Sequence, residues 1–160
     1  MEPGIVPRLV CFDPAMRGPT GVAIFVDGLL VDAYSTNPPH KERGPAAWGH
    51  VARAVWAPLL DAGADVVVIE GQVVYPRSKA DPNDILQIAG VAGGLAAIAQ
   101  ALGAEVVGLL PAVWKGQAPK TVLEARSKKK LSAAELGSVR PGTTLDGWDA
   151  VGVGLFYLKR

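Results

Sequence analysis

The sequence is poor in cysteine, histidine and net charge. Its 160 residues include one cysteine and two histidines, and 16 Lys or Arg nearly balance 15 Asp or Glu, which leaves a net charge of +1. A lone cysteine, Cys11, excludes an internal disulfide, and so few Cys and His residues exclude the usual zinc cage. The charge balance gives no global sign of a polyanionic partner. Any nucleic-acid site must therefore be local.

Charged residues are also few, at 19% of the chain, whereas hydrophobic residues make up 49%. This composition excludes a disordered polar chain, and the length predicts a single domain, residues 1–160, with a buried core. The first residues lack the basic start and apolar core of a secretory signal. We therefore expect a cytoplasmic protein with reduced thiols.

The sequence contains one long apolar run. Residues 85–102 are apolar apart from two glutamines, which is near the length of a membrane span. The glutamines and the absence of basic flanks favour a helix of a soluble domain, so we expect no membrane association. Gly90, Gly94 and Ala97 place small residues on adjoining parts of one face, which allows another backbone to approach closely. That face suits packing within the chain or against a second copy, and both alternatives stay open.

Apolar runs and turn residues predict an α/β fold with the element order βββαβαβα. The predicted strands are 8–13, 20–26, 29–34, 66–70 and 106–110, and the predicted helices are 46–62, 85–102, a short 121–127 and 145–159. Asp27-Gly28 suits a two-residue hairpin turn. Hairpins followed by alternating helices and strands predict a mixed β-sheet flanked by helices.

Four carboxylates stand at the ends of predicted elements: Asp13, Glu70, Asp146 and Asp149. Asp13 and Glu70 each close an apolar strand, so parallel pairing of those strands would bring both to one sheet edge, where open α/β sheets bind ligands. Asp146 and Asp149 are three residues apart, which puts them on one face of the last helix. The sequence therefore predicts that the four side chains converge.

Converging carboxylates repel one another unless cations lie between them. Oxygen ligands favour hard ions, so we expect two Mg²⁺ per site, with Mn²⁺ able to substitute. Two such ions about 4 Å apart activate a water and stabilise the leaving oxygen of a phosphodiester, which predicts nuclease chemistry. A structural alternative stays open, in which Asp146 caps a helix, Asp149 is a first-turn acid and Asp13 begins a turn.

A local excess of positive charge follows the last predicted strand. Residues 115–130, here called the basic segment, hold six Lys or Arg and one Glu, a net charge of +5. Such surfaces bind phosphate backbones, although a solvated loop and helix face is the alternative. The candidate DNA-binding residues are Lys115, Lys120, Arg126, Lys128, Lys129 and Lys130.

A second candidate contact follows Glu70. Tyr75 lies close to Arg77 and Lys79, which places an aromatic ring among basic residues just past a candidate metal ligand. Such a ring suits stacking on unpaired bases or wedging between them. A hydrophobic contact beneath a surface loop is the alternative.

These residues, taken in order, resemble the RuvC family of Holliday-junction resolvases in the ribonuclease H-like superfamily. The resemblance spans about residues 8–158, and residues 114–120, Trp-Lys-Gly-Gln-Ala-Pro-Lys, are similar to the bacteriophage branch of that family. The matching segments are Phe12-Asp13-Pro14, Thr20-Gly21, Val68-Ile69-Glu70, Pro111-x-x-Trp114-Lys115-Gly116 with Lys120, and Asp146-x-x-Asp149-Ala150.

The resemblance implies a ribonuclease H-like fold and a metal-dependent endonuclease. It implies a homodimer that nicks two opposed strands of a four-way DNA junction, with the four carboxylates as metal ligands. Lys115 and Lys120 would contact phosphates near the scissile bond. The helix over residues 85–102 would lie at the dimer interface, with Gly90 and Gly94 on it.

Three other functions fit parts of the sequence. Residues 13–21 loosely suit the phosphate loop of the actin and sugar-kinase superfamily, but such proteins need two domains, so we expect no nucleotide cofactor. A nuclease for forks, flaps or RNA–DNA hybrids keeps the same site on another substrate. A DNA-binding module without catalytic activity would use only the DNA-binding surface. If the protein is phage-encoded, the expected compartment is the host cytoplasm.

Overall fold

A computed structural model describes residues 8–37, 43–60, 63–73 and 81–160. The strands are β1 Leu9–Asp13, β2 Thr20–Val26, β3 Leu29–Thr36, β4 Val66–Glu70 and β5 Glu105–Leu109. The helices are α1 Pro45–Trp56, followed by a 3-10 turn Ala57–Leu59, then α2 Pro82–Ala101, α3 Pro111–Trp114, α4 Lys120–Lys130, α5 Ala133–Gly137 and α6 Leu145–Tyr157.

The five strands form one mixed sheet in the order β3-β2-β1-β4-β5. β1 pairs antiparallel with β2 and parallel with β4, and β4 pairs parallel with β5. Asp27 and Gly28 have φ values of 53° and 73°, which is the conformation of a tight hairpin turn between β2 and β3. The predicted α/β class, the three-stranded start and the mixed sheet are confirmed.

Successive side chains of a strand point to opposite faces of the sheet, so the strands contribute to two hydrophobic layers. Val10, Phe12, Val67 and Ile69 face a layer formed with α1 and α2. The opposite face packs against α6 and includes Leu9, Cys11, Ala23, Phe25, Val66 and Val68. Because both faces are covered, β1 and β4 are buried along their whole length.

Several helix boundaries differ from the sequence-based prediction. α2 begins one turn earlier because the Asp81 side chain accepts a hydrogen bond from the Asn83 amide at 2.8 Å and caps the helix. α4 runs to Lys130, past the predicted end at residue 127. The lysine-rich end of α4 has no apolar periodicity from which to predict a helix, because only Leu123 and Ser127 are buried in α4. α3 and α5 were not predicted, because four and five residues are too short for periodicity.

α2 packs against α1 through its small residues. A Cβ built on Gly90 would lie 2.1 Å from the Trp48 ring, and one on Gly94 would lie 2.8 Å from Ala52 Cβ. Packing within the chain, one of the two alternatives for Gly90 and Gly94, is therefore observed, whereas Ala97 is exposed.

α2 also remains largely uncovered. By length and composition it is long and apolar enough to cross a membrane, and 17% of its most apolar 18-residue window is buried. One such helix is weak evidence for a span, because helices of soluble proteins also meet this criterion.

Candidate metal centre

The parallel pairing of β1 and β4 builds the first half of the candidate site. Phe12 lies in register with Ile69, so the next residues, Asp13 and Glu70, leave the sheet at the same edge. Both residues are buried, with exposures of 7% and 4%. The predicted convergence of these two carboxylates is confirmed.

α6 supplies the second half. Asp149 points inward and is fully buried, whereas the Asp146 side chain, one turn earlier, is 28% exposed at the rim. Gly21 of β2, the register partner of Asp13, allows this approach. A Cβ on Gly21 would lie 1.9 Å from the backbone oxygen of Asp146, so only hydrogen fits between strand and helix.

Three of the four carboxylates form a compact cluster. Asp13, Glu70 and Asp149 each offer an oxygen, and the three oxygens lie within 4.8 Å of one another. Asp146 stands outside this triad but is joined to it by Lys120, which contacts Asp13, Asp146 and Asp149. We refer to Asp13, Glu70, Asp146 and Asp149 together as the acid cluster.

Burial and mutual repulsion perturb the acid cluster. Burial, the largest cause, and the nearby Glu70 and Asp149 carboxylates together raise the pKa of Asp13 to about 8, against the opposing effect of Lys120 and Lys115. Burial also raises the pKa of Glu70, although the Lys115 ammonium partly offsets that shift. Strongly shifted pKa values among neighbouring acids are common at functional sites.

Two lysines of the basic segment enter the acid cluster. Lys115 follows α3, and its Nζ lies 2.9 Å from Glu70 Oε1 and 3.1 Å from Asp149 Oδ2. Lys120 is the first residue of α4, and its Nζ lies 2.5 Å from Asp146 Oδ1, 3.3 Å from Asp149 Oδ2 and 3.6 Å from Asp13 Oδ2. The structure therefore brings both candidate phosphate contacts to the candidate metal ligands.

Residual unpaired oxygens test whether the acid cluster suits a metal ion. Asp13 Oδ2 and Asp149 Oδ1 are buried and have no hydrogen-bond partner among the described residues. Buried carboxylate oxygens without hydrogen bonds are costly, even with Lys120 Nζ at 3.6 Å from Asp13 Oδ2, and an ion that completes their coordination would explain them. An all-carboxylate donor set suits a hard divalent cation. The residues therefore fit such an ion.

The rest of the basic segment lies on the outside of α4. Lys128 pairs with Glu124 at 2.7 Å and lies over the Trp148 ring. Lys130 donates to the Arg160 backbone carbonyl. Arg126 and Lys129 are exposed and have no ion-pair partner within the described ranges. Tyr75, Arg77 and Lys79 lie outside the described residues.

Three further residues position the site, and sequence reasoning did not assign them this role. The Thr20 hydroxyl is buried and accepts a hydrogen bond from the Ala15 amide at 3.0 Å, which braces the loop after Asp13. Gly21 admits the start of α6, and Gly152 admits Trp114, whose ring would lie 2.6 Å from a Cβ there. In the sequence, only the family resemblance drew attention to Thr20-Gly21. A close approach between segments that are far apart in the chain leaves no local sequence pattern.

Comparison with known proteins gives structural matches only. No protein-family model and no curated protein matches the sequence. Among solved structures, Thermus thermophilus RuvC in complex with Holliday junction substrate matches with a TM-score of 0.66 and 19% identity, over 95% of this chain and 94% of that one.

Two other resolvases match similarly. The yeast mitochondrial Holliday junction resolvase Ydc2 has a TM-score of 0.65 and 14% identity, over 99% of this chain and 81% of that one. Fowlpox virus resolvase, in complex with Holliday junction DNA, has a TM-score of 0.60 and 15% identity, over 95% and 97%. The predicted ribonuclease H-like fold of Holliday-junction resolvases is confirmed.

Proposed function

We propose that this chain is a metal-dependent endonuclease that resolves four-way DNA junctions by paired nicks. One observation carries the proposal: buried Asp13, Glu70 and Asp149 meet within 4.8 Å at one edge of a sheet that has the fold of junction resolvases. A fold hosts many activities, so the acid cluster rather than the fold supports the chemistry.

The acid cluster would hold the cations. Asp13, Glu70 and Asp149 would bind one Mg²⁺, and Asp146 with Asp13 would contribute to a second; Mn²⁺ is expected to substitute. Such ions, when bound, activate a water and stabilise the leaving oxygen of a phosphodiester. The chain itself fixes the carboxylates on two strands and one helix, which is the rigid support that metal sites need.

Lys115 and Lys120 would orient the DNA strand at this site. Both ammonium groups lie at the mouth of the acid cluster, where the Lys115 side chain is 16% and the Lys120 side chain 42% exposed. Lysine is a point charge on a flexible stem and binds phosphate oxygens well. Their position beside the candidate metal ligands would hold the scissile phosphate against the acid cluster.

Contacts farther along the DNA would come from the outer face of α4. Arg126 and Lys129 are exposed there, while Lys128 and Lys130 are held by contacts within the chain. Such contacts add affinity that falls as salt rises. Roles for Tyr75, Arg77 and Lys79 in stacking on bases and binding phosphates stay predictions.

We further propose that the protein acts as a homodimer through α2. Leu86 of α2 and Leu102, the residue that ends the helix, are 56% and 55% exposed, and they add apolar surface at the two ends of α2. An apolar groove of about 520 Å³ between α1 and α2 is lined by Ala52, Trp56, Ala97 and others. A second copy seated there would cover both features and present two acid clusters for two opposed strands.

The oligomeric state has a direct test. Ala97→Glu places a charge in the groove and is expected to convert a dimer into a monomer in sedimentation velocity runs. Ala133→Glu, at an exposed position on α5, is the matched control. A monomeric wild-type protein at all accessible concentrations would contradict this part of the proposal.

The activity is tested by digesting several DNA structures in parallel. With Mg²⁺, we expect symmetric paired nicks in a four-way junction and little cleavage of forks, flaps, linear duplex or RNA–DNA hybrids. Asp13→Asn and Asp146→Asn should lose cleavage but keep junction binding in a gel-shift assay, since metal chemistry and phosphate contacts are separable.

The outcomes separate the alternatives. Preferential cleavage of forks, flaps or hybrids would retain the site and change the substrate. Junction binding without cleavage in any divalent metal would select a non-catalytic DNA-binding module. We expect no nucleotide requirement, and we expect the protein to work in the cytoplasm, which is the host cytoplasm if a phage encodes it.

A further inference from the structure

Lys115 and Lys120 contact the carboxylates that would hold metal ions. Each ammonium bridges at least two members of the acid cluster: Lys115 joins Glu70 to Asp149, and Lys120 joins Asp13, Asp146 and Asp149. All four carboxylates thus have a lysine partner. These contacts account for most of the charge compensation among the described side chains of the site.

A lysine and a metal ion compete for the same carboxylate oxygens. Mg²⁺ binds carboxylate oxygens at about 2.0–2.1 Å and demands a near-octahedral shell. The Asp149 Oδ2 atom already has Lys115 Nζ at 3.1 Å and Lys120 Nζ at 3.3 Å. Two ammonium groups around one fully buried carboxylate oxygen would repel a dication that approaches that oxygen.

We propose that Lys115 and Lys120 are resident counter-cations that hold the metal-free site together and must leave before divalent metals load. This inference rests on the proposed function, because DNA phosphates are where the departing ammonium groups would go. Metal binding and DNA binding are then positively coupled: DNA removes the competitors of the metal. By linkage, the metal must strengthen DNA binding by the same factor.

The surrounding chain permits this exchange. The two lysines flank an exposed turn over residues 116–119, in which Gly116 has a φ of 57°. The Lys120 side chain is 42% exposed and rotates on a four-carbon stem. The Lys115 ammonium also lies 4.9 Å from the centre of the Trp114 ring, so its departure would break this cation–π contact as well as the two ion pairs.

The exchange makes metal occupancy of the site depend on bound DNA. Without DNA, the lysines neutralise part of the acid cluster and keep metal occupancy low, which suppresses cleavage by freely loaded metal. With a junction bound, phosphate oxygens compete for the same ammonium groups, and the vacated carboxylates become available. Metal loading is therefore expected to be tighter where DNA is already positioned.

The decisive measurement is metal affinity without DNA. Mn²⁺ binding to the wild type, Lys115→Met and Lys120→Met is followed by electron paramagnetic resonance of free Mn²⁺. We expect each methionine variant to bind Mn²⁺ about tenfold or more tightly, which corresponds to about 1.4 kcal/mol. Lys128→Met is the control, because that lysine pairs with Glu124 and contacts none of the acid cluster.

The result does not depend on nuclease activity, so the two proposals fail separately. A protein that nicks no junction but shows the tighter Mn²⁺ binding would retain the counter-cation role and lose the proposed function. Methionine variants that are folded by circular dichroism and bind Mn²⁺ no more tightly than the wild type would overturn the inference.

Two further measurements protect the test against loss of folding. In the wild type, the ion-paired ammonium signals of Lys115 and Lys120 in ¹⁵N NMR should shift when diamagnetic Mg²⁺ is added, and unchanged signals at saturation would refute the exchange. Junction affinity, from fluorescence anisotropy at constant ionic strength, should rise several-fold when Ca²⁺ replaces monovalent salt. A fall in affinity would contradict the coupling.

Discussion

Replacing Gly21 with alanine tests how the acid cluster is assembled. The new Cβ would lie 1.9 Å from the carbonyl oxygen and 2.4 Å from the carbonyl carbon of Asp146, both of which belong to backbone. An ordinary carbon–oxygen contact needs about 3.3 Å, so the start of α6 must retreat by roughly 1.4 Å.

The retreat is opposed by the rest of α6. A Cβ on Gly147 would lie 2.8 Å from Ser35 Oγ, and one on Gly154 would lie 2.2 Å from the Phe25 ring, so the helix is packed tightly along its length. Overpacking of this kind costs about 1–3 kcal/mol. A displacement of about 1 Å at catalytic groups lowers rates roughly a hundredfold. Gly21→Ala should therefore lose both stability and junction nicking.

Urea unfolding followed by tryptophan fluorescence measures the stability, and the junction-nicking rate measures the site. Gly108→Ala is the control, because Gly108 lies in β5 with nothing within 4 Å of the position of its Cβ. If Gly21→Ala matches the wild type in urea midpoint and in Mn²⁺ affinity, the close approach of β2 and α6 does not build the site.

Other predictions concern the frame around the site. Glu135 receives hydrogen bonds from Arg160 that lower its pKa to about 2. The ionised Glu135 therefore contributes about 3 kcal/mol to the free energy of unfolding above pH 4.5, and this contribution is lost as the pH falls to 2. Glu135→Gln should remove the contribution at pH 7. Gly90→Ala should lower stability by about 1–3 kcal/mol in urea unfolding, because the methyl group meets the Trp48 ring. Gly28→Ala should cost about 1 kcal/mol in the same assay, because Gly28 has a φ of 73° in the hairpin turn.

Each of these has its own control. Equal loss of stability by Glu135→Gln at pH 2 and pH 7 would show that the ion pair does not act through charge. Gly93→Ala, in the same helix as Gly90 but facing open space, should be neutral or stabilising, and a loss equal to that of Gly90→Ala would dismiss the Trp48 contact. An unaltered midpoint in Gly28→Ala would contradict the turn conformation.

The strands and the convergence of Asp13 with Glu70 could be predicted from the sequence. A run such as Val66–Glu70 is unbroken, apolar and β-branched, which is the local signature of a strand buried on both faces. Each strand ends in one acid, so strand pairing alone determines that the two acids meet. This inference needs only the alternation of side chains along a strand and the fact that parallel strands end at the same edge of a sheet.

The environment of the lysines could not be predicted in the same way. Lys115 and Lys120 belong to a segment whose charge predicted an outward, phosphate-binding surface, yet both ammonium groups lie against carboxylates from β1, β4 and α6. Charge within a segment shows what it attracts but not which distant partner lies nearest. Only the short α3 and the turn after it bring these side chains back over the sheet edge.

The sequence by itself determined the order of the strands and the longer helices, the hairpin at Asp27-Gly28 and the four carboxylates at element ends, because these depend on local backbone preferences and on the periodicity of burial. Tertiary structure alone decided that Asp149 is buried while Asp146 stays at the rim, that Gly21 must be glycine, and that lysines fill the acid cluster. Those features depend on distances between residues far apart in the chain, which packing fixes and no local pattern records.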